Sequence, residues 1–367
     1  MIRFLMIFLL LVHGLIHFLG FAKAFRLAEI PQLTQPITKP TGALWLLSGV
    51  LFLITTGYFL LQKNNWWLWA VPALIVSQAL IINAWQDAKW GTLANALIAV
   101  GIVLGWANWN FAKLAQQQRE ALLSAGDTTA PLVTEAQLAN LPPVIAQWLR
   151  RSQVVGKERS HSIYLRQRGL MRTAPNSKWI PFEAEQYFTT DPPGFVWTAH
   201  VQIMPFVYMK GIDTYAHSKG HMLIKVLALA PVVDAKGPAI DQGTMLRYLG
   251  EICWFPTTAL SDYITWEALD AHSAKATMRY GDVTASGLFT FDAAGDMQSF
   301  EAPRYYDRKT GPTLEQWHIQ NTATAELSGI RMPVQSEVTW KLQEGDFTWL
   351  KLEITEVAYN QNLIKVN

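Results

Sequence analysis

Four stretches of this chain, 4–22, 43–61, 66–85 and 92–111, contain no Asp, Glu, Lys or Arg, and no other feature restricts its folding so severely. A helix of about 20 apolar residues crosses the ~30 Å hydrocarbon core of a bilayer. Four long helices that are apolar on every face cannot all be buried in a small soluble bundle. Charge distribution supports a membrane: of 30 Lys and Arg and 28 Asp and Glu, only eight lie in residues 1–111. Trp66, Trp67 and Trp69 open the third stretch, Trp85 and Trp90 bracket its exit, and Trp106 and Trp109 close the fourth, at the headgroup depth that indoles favour. The first stretch exceeds a signal-peptide core and three more follow it, so it reads as a retained anchor. Four spans put both chain ends on one side. Arg3, Lys63, Lys113 and Arg119 flank that side and Lys23, Arg26, Lys39 and Lys89 the other, so basic residues do not orient the chain.

The first span contains "HGLIHFLG", with His13 and His17 four apart on one helix face. Bis-histidine haem ligation needs imidazoles on opposite sides of the ring, usually from two helices. Zinc needs further ligands, and the spans hold no carboxylate or cysteine. No cofactor is therefore expected. The topology puts His17, Asn83 and Asn95 in one leaflet and His13 at the depth of Ser77 and Gln78. These polar groups are expected to turn inward and bond one another across helices, with a proton, quinone or small-ligand site as the alternative.

Beyond residue 111 the composition turns polar. Residues 113–160 read as a linker with short helices: Thr134 and Gln137 form a capping box, and a second piece starts at Pro142-Pro143. From His161 to the end the pattern has period two, and eleven segments read as strands, "HSIYLRQRGLMR" first and "FTWLKLEITEVAY" last. Asp292-Ala-Ala-Gly295 and Glu344-Gly345-Asp346 read as hairpin turns. One helix interrupts the strands, "IDQGTMLRYLGEICWF", with Asp241 as its N-cap, Met245, Leu246, Leu249, Ile252 and Cys253 on its apolar face, and Arg247 and Glu251 paired on the other. An antiparallel sheet this long must curl, close or be covered. The expected architecture is a transmembrane four-helix domain (1–112), a linker (113–160) and an α+β domain (161–367) whose curved sheet forms a half-barrel around one covering helix.

The segments "HGLIHFLGFAKAF", "LTQPITKPTGALWLL" and "WQDAKWGTLAN" resemble a family of uncharacterised bacterial four-span membrane proteins. The run from "RQRGLMR" through "KGHMLIKVLALAPVVDAKGPAIDQGTMLRYLGEICWFPTTAL" resembles the domain of unknown function that follows those spans. In layout alone the strands and helix are similar to the LolA/LolB-like half-barrels that hold lipid or lipoprotein acyl chains. The four spans make it a multi-pass protein of the inner membrane, and the half-barrel likeness implies that its soluble domain lies outside the cytoplasm.

The densest polar cluster is "GIDTYAHSKGH", where Asp213, His217 and His221 straddle a turn; a tight hairpin would let them meet around a metal. Glu185, His200 and Glu251 offer further acid–base groups. No Gly-x-Ser-x-Gly, phosphate loop or dinucleotide fingerprint occurs. The single cysteine, Cys253, excludes an intrachain disulfide, and a net charge of +2 gives no reason to expect nucleic acid. The aromatic load of the soluble part either lines a cavity, with Trp197, Tyr208, Met245, Leu249, Trp254 and Trp340 as expected lining, or fills the space between sheet and helix. The sequence thus favours a non-enzymatic, membrane-tethered module for a lipid or other lipophilic ligand. A metal-dependent hydrolase and a sensory or structural protein acting through an unidentified protein partner are the alternatives.

Overall fold

The computed structural model describes residues 2–308 and 310–361; the last six residues of the expected 161–367 domain lie outside them. The chain divides into two compact units, Met1–Lys113 and Leu114–Asn367.

The first unit is helical: α1 (Ile2–Ala24), α2 (Lys39–Leu60), α3 (Trp67–Asn83), the single turn α4 (Trp85–Ala88) and α5 (Gly91–Ala125), which continues into the second unit. Thr38 opens α2, its hydroxyl accepting from the Thr41 amide, with Pro40 in the first turn. Leu10, Phe52, Trp66, Ala70, Ala73, Ile98 and Ile102 form a core to which α1, α2, α3 and α5 all contribute. Close helix approach depends on small residues: a Cβ on Gly20 would lie 2.3 Å from the Trp45 ring of α2.

Four spans were expected, and three helices, α1, α2 and α5, are long and apolar enough to cross a bilayer. The difference lies in α3, which has 17 residues. The apolar run does not stop there, but Ala84 leaves helical geometry at φ −109° and ψ 38°, so Trp85 begins a separate turn. At 1.5 Å per residue α3 is about 25 Å long.

In the second unit α6 (Glu135–Leu138) carries the capping box expected at Thr134 and Gln137, and α7 (Pro143–Arg151) follows. A first meander comprises β1 (Ser162–Met171), β2 (Ile180–Thr190), β3 (Pro193–Met204), β4 (Val207–Ala216), β5 (Lys219–Val226) and β6 (Ala230–Ala235). Helix α8 (Pro238–Glu251) and two 3₁₀ turns, Ile252–Trp254 and Pro256–Leu260, lead to a second. This contains β7 (Ile264–Ala268), β8 (Ser273–Tyr280), β9 (Val283–Phe291), β10 (Met297–Tyr306), β11 (Thr313–Leu327), β12 (Ile330–Leu342) and β13 (Gly345–Tyr359).

All 13 strands form one antiparallel sheet in the order β6-β5-β4-β3-β2-β1-β13-β12-β11-β10-β9-β8-β7. First and last strands pair at its centre, from Ile163 opposite Tyr359 to Met171 opposite Leu350. The sheet curls enough to bring strands near its two edges together: Ser218 in the β4–β5 turn donates to the carbonyl of Tyr280, the last residue of β8, at 2.7 Å. Helix α8 packs on β4 and β5 and on β8, β9 and β10, lying inside the half-barrel. Tyr248 of α8, Phe255, Trp148 of α7, Phe188, Phe289 and Phe300 are fully buried in the core between them.

Two expectations are corrected here. Among the described residues thirteen strands replace eleven, β6 and β7 being the additions. Asp241 is not the N-cap of α8: Gly237 precedes the helix and Pro238 opens it. The Asp241 carboxylate instead accepts from the Gly220 amide at 2.8 Å and from Lys219 Nζ at 2.9 Å, fastening the first turn of α8 to β5.

Candidate functional site

Alternation places Ile163, Leu165 and Gln167 of β1 on the inner face, opposite Phe188, Gln186 and Ala184 of β2 and next to Phe195 and Trp197 of β3. Gln167 and Gln186 are therefore polar residues in apolar phase, and both are buried. Asp213 of β4 occupies the same face opposite Trp197. These residues converge on one side chain of α8. Arg247 donates from Nη1 to Asp213 at 2.8 Å, from Nε to Glu251 at 2.7 Å and from Nη2 to Gln186 at 3.2 Å. Gln186 donates to the other Glu251 oxygen at 2.8 Å, Gln167 donates to Gln186 at 3.0 Å, and Trp197 Nε1 donates to Gln167 at 3.0 Å. The guanidinium stacks 4.9 Å from the Phe195 ring and 5.0 Å from Trp197. The Arg247–Glu251 pair expected on an outer helix face is thus at the centre of a buried network.

Burial pushes the carboxyls of Asp213 and Glu251 upward, against the pull of Arg247. Burial also disfavours the charged Arg247, but Glu251 and Asp213 outweigh it and hold the guanidinium above its ordinary value. One Asp213 oxygen, Oδ1, is buried without a hydrogen-bond partner among the described residues.

A second arginine shares this interior. Arg304 of β10 is in phase with Phe300 and Ala302, next to Trp317 of β11. Its guanidinium lies 4.5 Å from the Trp317 ring centre and 5.9 Å from that of Trp340, against α8 at Gly243. Burial lowers it to about 10, Asp213 and Glu251 opposing and Arg247 reinforcing that shift, so it remains charged at neutral pH. No described residue forms a hydrogen bond or ion pair with it.

Beyond α8 the inner face continues as an apolar wall. Phe182, Ala184, Ala199 and Val201 are buried there, with Met171, Ile180, Met209, Leu350 and Leu352 half-buried beside Trp197.

The structure separates the residues expected to line a cavity. Met245 and Leu249 are fully buried core filling and Trp254 packs with them. Trp197 and Trp340 stand at the two arginines. Tyr208 lies opposite Gln202 on the outer face, its ring 5.2 Å from His200. The expected metal cluster does not converge. His217 occupies the β4–β5 turn at φ 51°. His221 is opposite Thr214, so its side chain takes the face away from Asp213 and pairs with Asp234 at 2.7 Å. Among the described residues no group of three or more His, Cys, Asp or Glu is placed to hold a metal.

In the helical unit the expected polar contacts form. His17 Nδ1 donates to the His13 carbonyl at 2.7 Å, which leaves Nε2 to accept from Ser77 at 3.0 Å. His13 Nε2 donates to Asn95 Oδ1 at 2.9 Å. Asn95 Nδ2 donates to Ser77 at 3.0 Å and to Gln78 at 2.9 Å, and Gln78 donates to Thr92 at 3.2 Å. Asn83 is not part of this network: it lies off the buried stripe of α3, which runs through Ala73, Ser77, Leu80 and Ile81, and is exposed. On the outer face of the sheet, a groove of about 620 Å³ runs past Arg168, Glu183, His200, Glu337, Lys351 and Glu353. Four of its charges are matched in pairs, Arg168 with Glu353 at 2.8 Å and Lys351 with Glu337 at 2.7 Å.

These features define a class: apolar N-terminal helices followed by a curled antiparallel half-barrel that encloses a helix and a buried charge network. The chain belongs to a family of unknown function, DUF6544, whose model matches residues 131–352, from just before α6 into β13. No curated protein matches the chain.

Proposed function

We propose that this protein is a multi-pass inner-membrane protein whose half-barrel binds a lipophilic ligand on its inner face, beside the bilayer. The apolar wall carries the proposal. Met171, Ile180, Met209, Leu350 and Leu352 remain half-buried on the concave side, whereas α8 packs on β4, β5, β8, β9 and β10 and α7 on β8. Half-exposed apolar side chains on a concave surface favour an apolar occupant. In this reading α3 crosses the membrane as a fourth span: its 17 residues meet the lower limit of about 17, and Ala70 and Ala73 pack with α1, α2 and α5. The half-barrel faces the extracytoplasmic side, as the sequence resemblance to LolA/LolB-like half-barrels implies.

A photoreactive fatty acid incorporated with the full chain into phosphatidylcholine nanodiscs tests the reading. Crosslinks are expected on β1, β2, β3 and β13 as well as on the apolar helices. Crosslinks confined to the helices would overturn it. A cysteine introduced at Ser124, probed in intact cells with an impermeant maleimide, is expected to label; protection until lysis would reverse the orientation.

A further inference from the structure

We propose that Arg304 anchors the oxyanion head of an amphiphilic ligand whose apolar chain lies along the inner wall of the half-barrel. The inference rests on the lipophile-binding reading and adds the chemical class of the head group.

Arg304 meets two indole rings but no hydrogen-bond acceptor among the described residues. A guanidinium presents several N–H donors and cannot shed its charge at neutral pH. Arg304 is half-buried, so its guanidinium is partly withdrawn from water without gaining a protein acceptor, and ring faces replace only part of the lost hydration. Arg304 is surrounded by Trp317, Trp340 and the backbone of α8 at Gly243, none of which offers it an acceptor. Trp317 Nε1, in the ring beneath it, is likewise buried without an acceptor.

Its neighbours do not answer the demand. Arg247 already takes one Asp213 oxygen and one Glu251 oxygen, and Gln186 takes the other Glu251 oxygen. The remaining Asp213 oxygen, Oδ1, has no partner among the described residues, and Arg304 forms no ion pair with either carboxylate. Among the described residues Arg247 makes three side-chain hydrogen bonds and Arg304 makes none, while the Arg304 guanidinium sits on two indoles. Planar oxyanions suit that arrangement because a guanidinium can hold them through two parallel hydrogen bonds. Trp197 packs against both the main core and the apolar wall, so the charged interior and the wall are continuous. A head group at Arg304 therefore has an apolar surface beside it for its chain.

Binding of radiolabelled oleate to the full chain in phosphatidylcholine nanodiscs, by scintillation proximity with empty nanodiscs subtracted, tests the proposal. Oleyl alcohol, equal in chain but neutral, is the comparison, and lysophosphatidate distinguishes a phosphate head from a carboxylate. Wild type is expected to bind oleate or lysophosphatidate at least tenfold more tightly than the alcohol. R304Q is expected to lose that preference while still binding the alcohol, and R304K to retain part of it. Equal binding of alcohol and both anions by wild type, a comparison that needs no variant, overturns the role of Arg304 and leaves the lipophile reading standing. Absence of binding by all three overturns the lipophile reading itself. A thermal melt of R304Q separates lost binding from lost folding.

Discussion

Arg247 and Arg304 share one interior but have opposite dependencies. Arg247 is held by two carboxylates and an amide, so its removal leaves buried negative charge unpaired. R247M is expected to destabilise the half-barrel by about 3–5 kcal/mol. Replacing Asp213 and Glu251 by apolar residues in the same variant should recover most of that loss, because a buried ion network is often no more stable than a packed apolar one. Urea unfolding of the detergent-solubilised chain, followed by tryptophan fluorescence, measures both; a triple variant no more stable than R247M would refute the account. Asp296 provides the pH-dependent case. Arg331 and Arg151 each hold its carboxylate through two nitrogens, at 2.7–3.2 Å, and Arg331 above all keeps its pKa below the ordinary value. A depressed carboxyl stabilises the fold above its unfolded pKa of about 3.9, and that contribution disappears as pH falls through the folded value. D296N should therefore cost about 1–3 kcal/mol at pH 7, with the gap to wild type closing below about pH 4. A gap that does not narrow as pH falls below about 4 would count against the clamp.

At the level of elements, α8 is held where a strand lacks a side chain. A Cβ on Gly220 of β5 would approach the Ile240 carbonyl of α8 to 2.8 Å and the Thr244 hydroxyl to 2.5 Å, so the helix lies directly on the strand. G220A is expected to push the first turn of α8 away, loosening the contacts of Asp241 with β5. An overpacking cost of about 1–3 kcal/mol follows, and thermal unfolding of the purified variant checks it. Elements were legible where their pattern was long. Charge-free runs mark α1, α2 and α5, and alternation marks eleven strands. The two missed strands, β6 and β7, form the edges of the sheet. They have six and five residues and are largely exposed, so no buried face imposes alternation. The join between β5 and β6 was also hidden. Leu227 and Ala228 both take positive φ, 55° and 58°, and neither residue type signals a turn. The candidate site was half legible. Gln167, Gln186, Asp213 and Arg304 each interrupt an apolar phase, a signal that could have singled them out, whereas an i,i+4 Arg–Glu pair looks the same on a buried helix face as on a solvated one.

For the whole molecule, the order of strands makes a stronger demand than their number. Each meander is local in sequence, but the sheet is continuous only because β1 and β13, the first and last strands, pair at its centre. Helix α8 crosses the same divide, joining β4 and β5 to β8, β9 and β10. Asp213–Arg247, Gln186–Glu251, Asp241–Gly220 and Ser218–Tyr280 are further ties between the halves. Cutting the chain between Lys236 and Gly237 breaks none of these. The fragments 1–236 and 237–367, co-expressed in one membrane, should assemble and co-purify through a tag on either. Expressed alone, each presents β1 or β13 as a long unpaired edge and should aggregate or be degraded. Removing residues 345–361 from the second fragment deletes the partner of β1 while leaving α8 intact. Co-purification should then fail, because α8 alone does not cover the ladder of β1. Should the shortened fragment still co-purify in equal amount, the central pairing would not be what holds the half-barrel together, and the docking of α8 would have to carry that role.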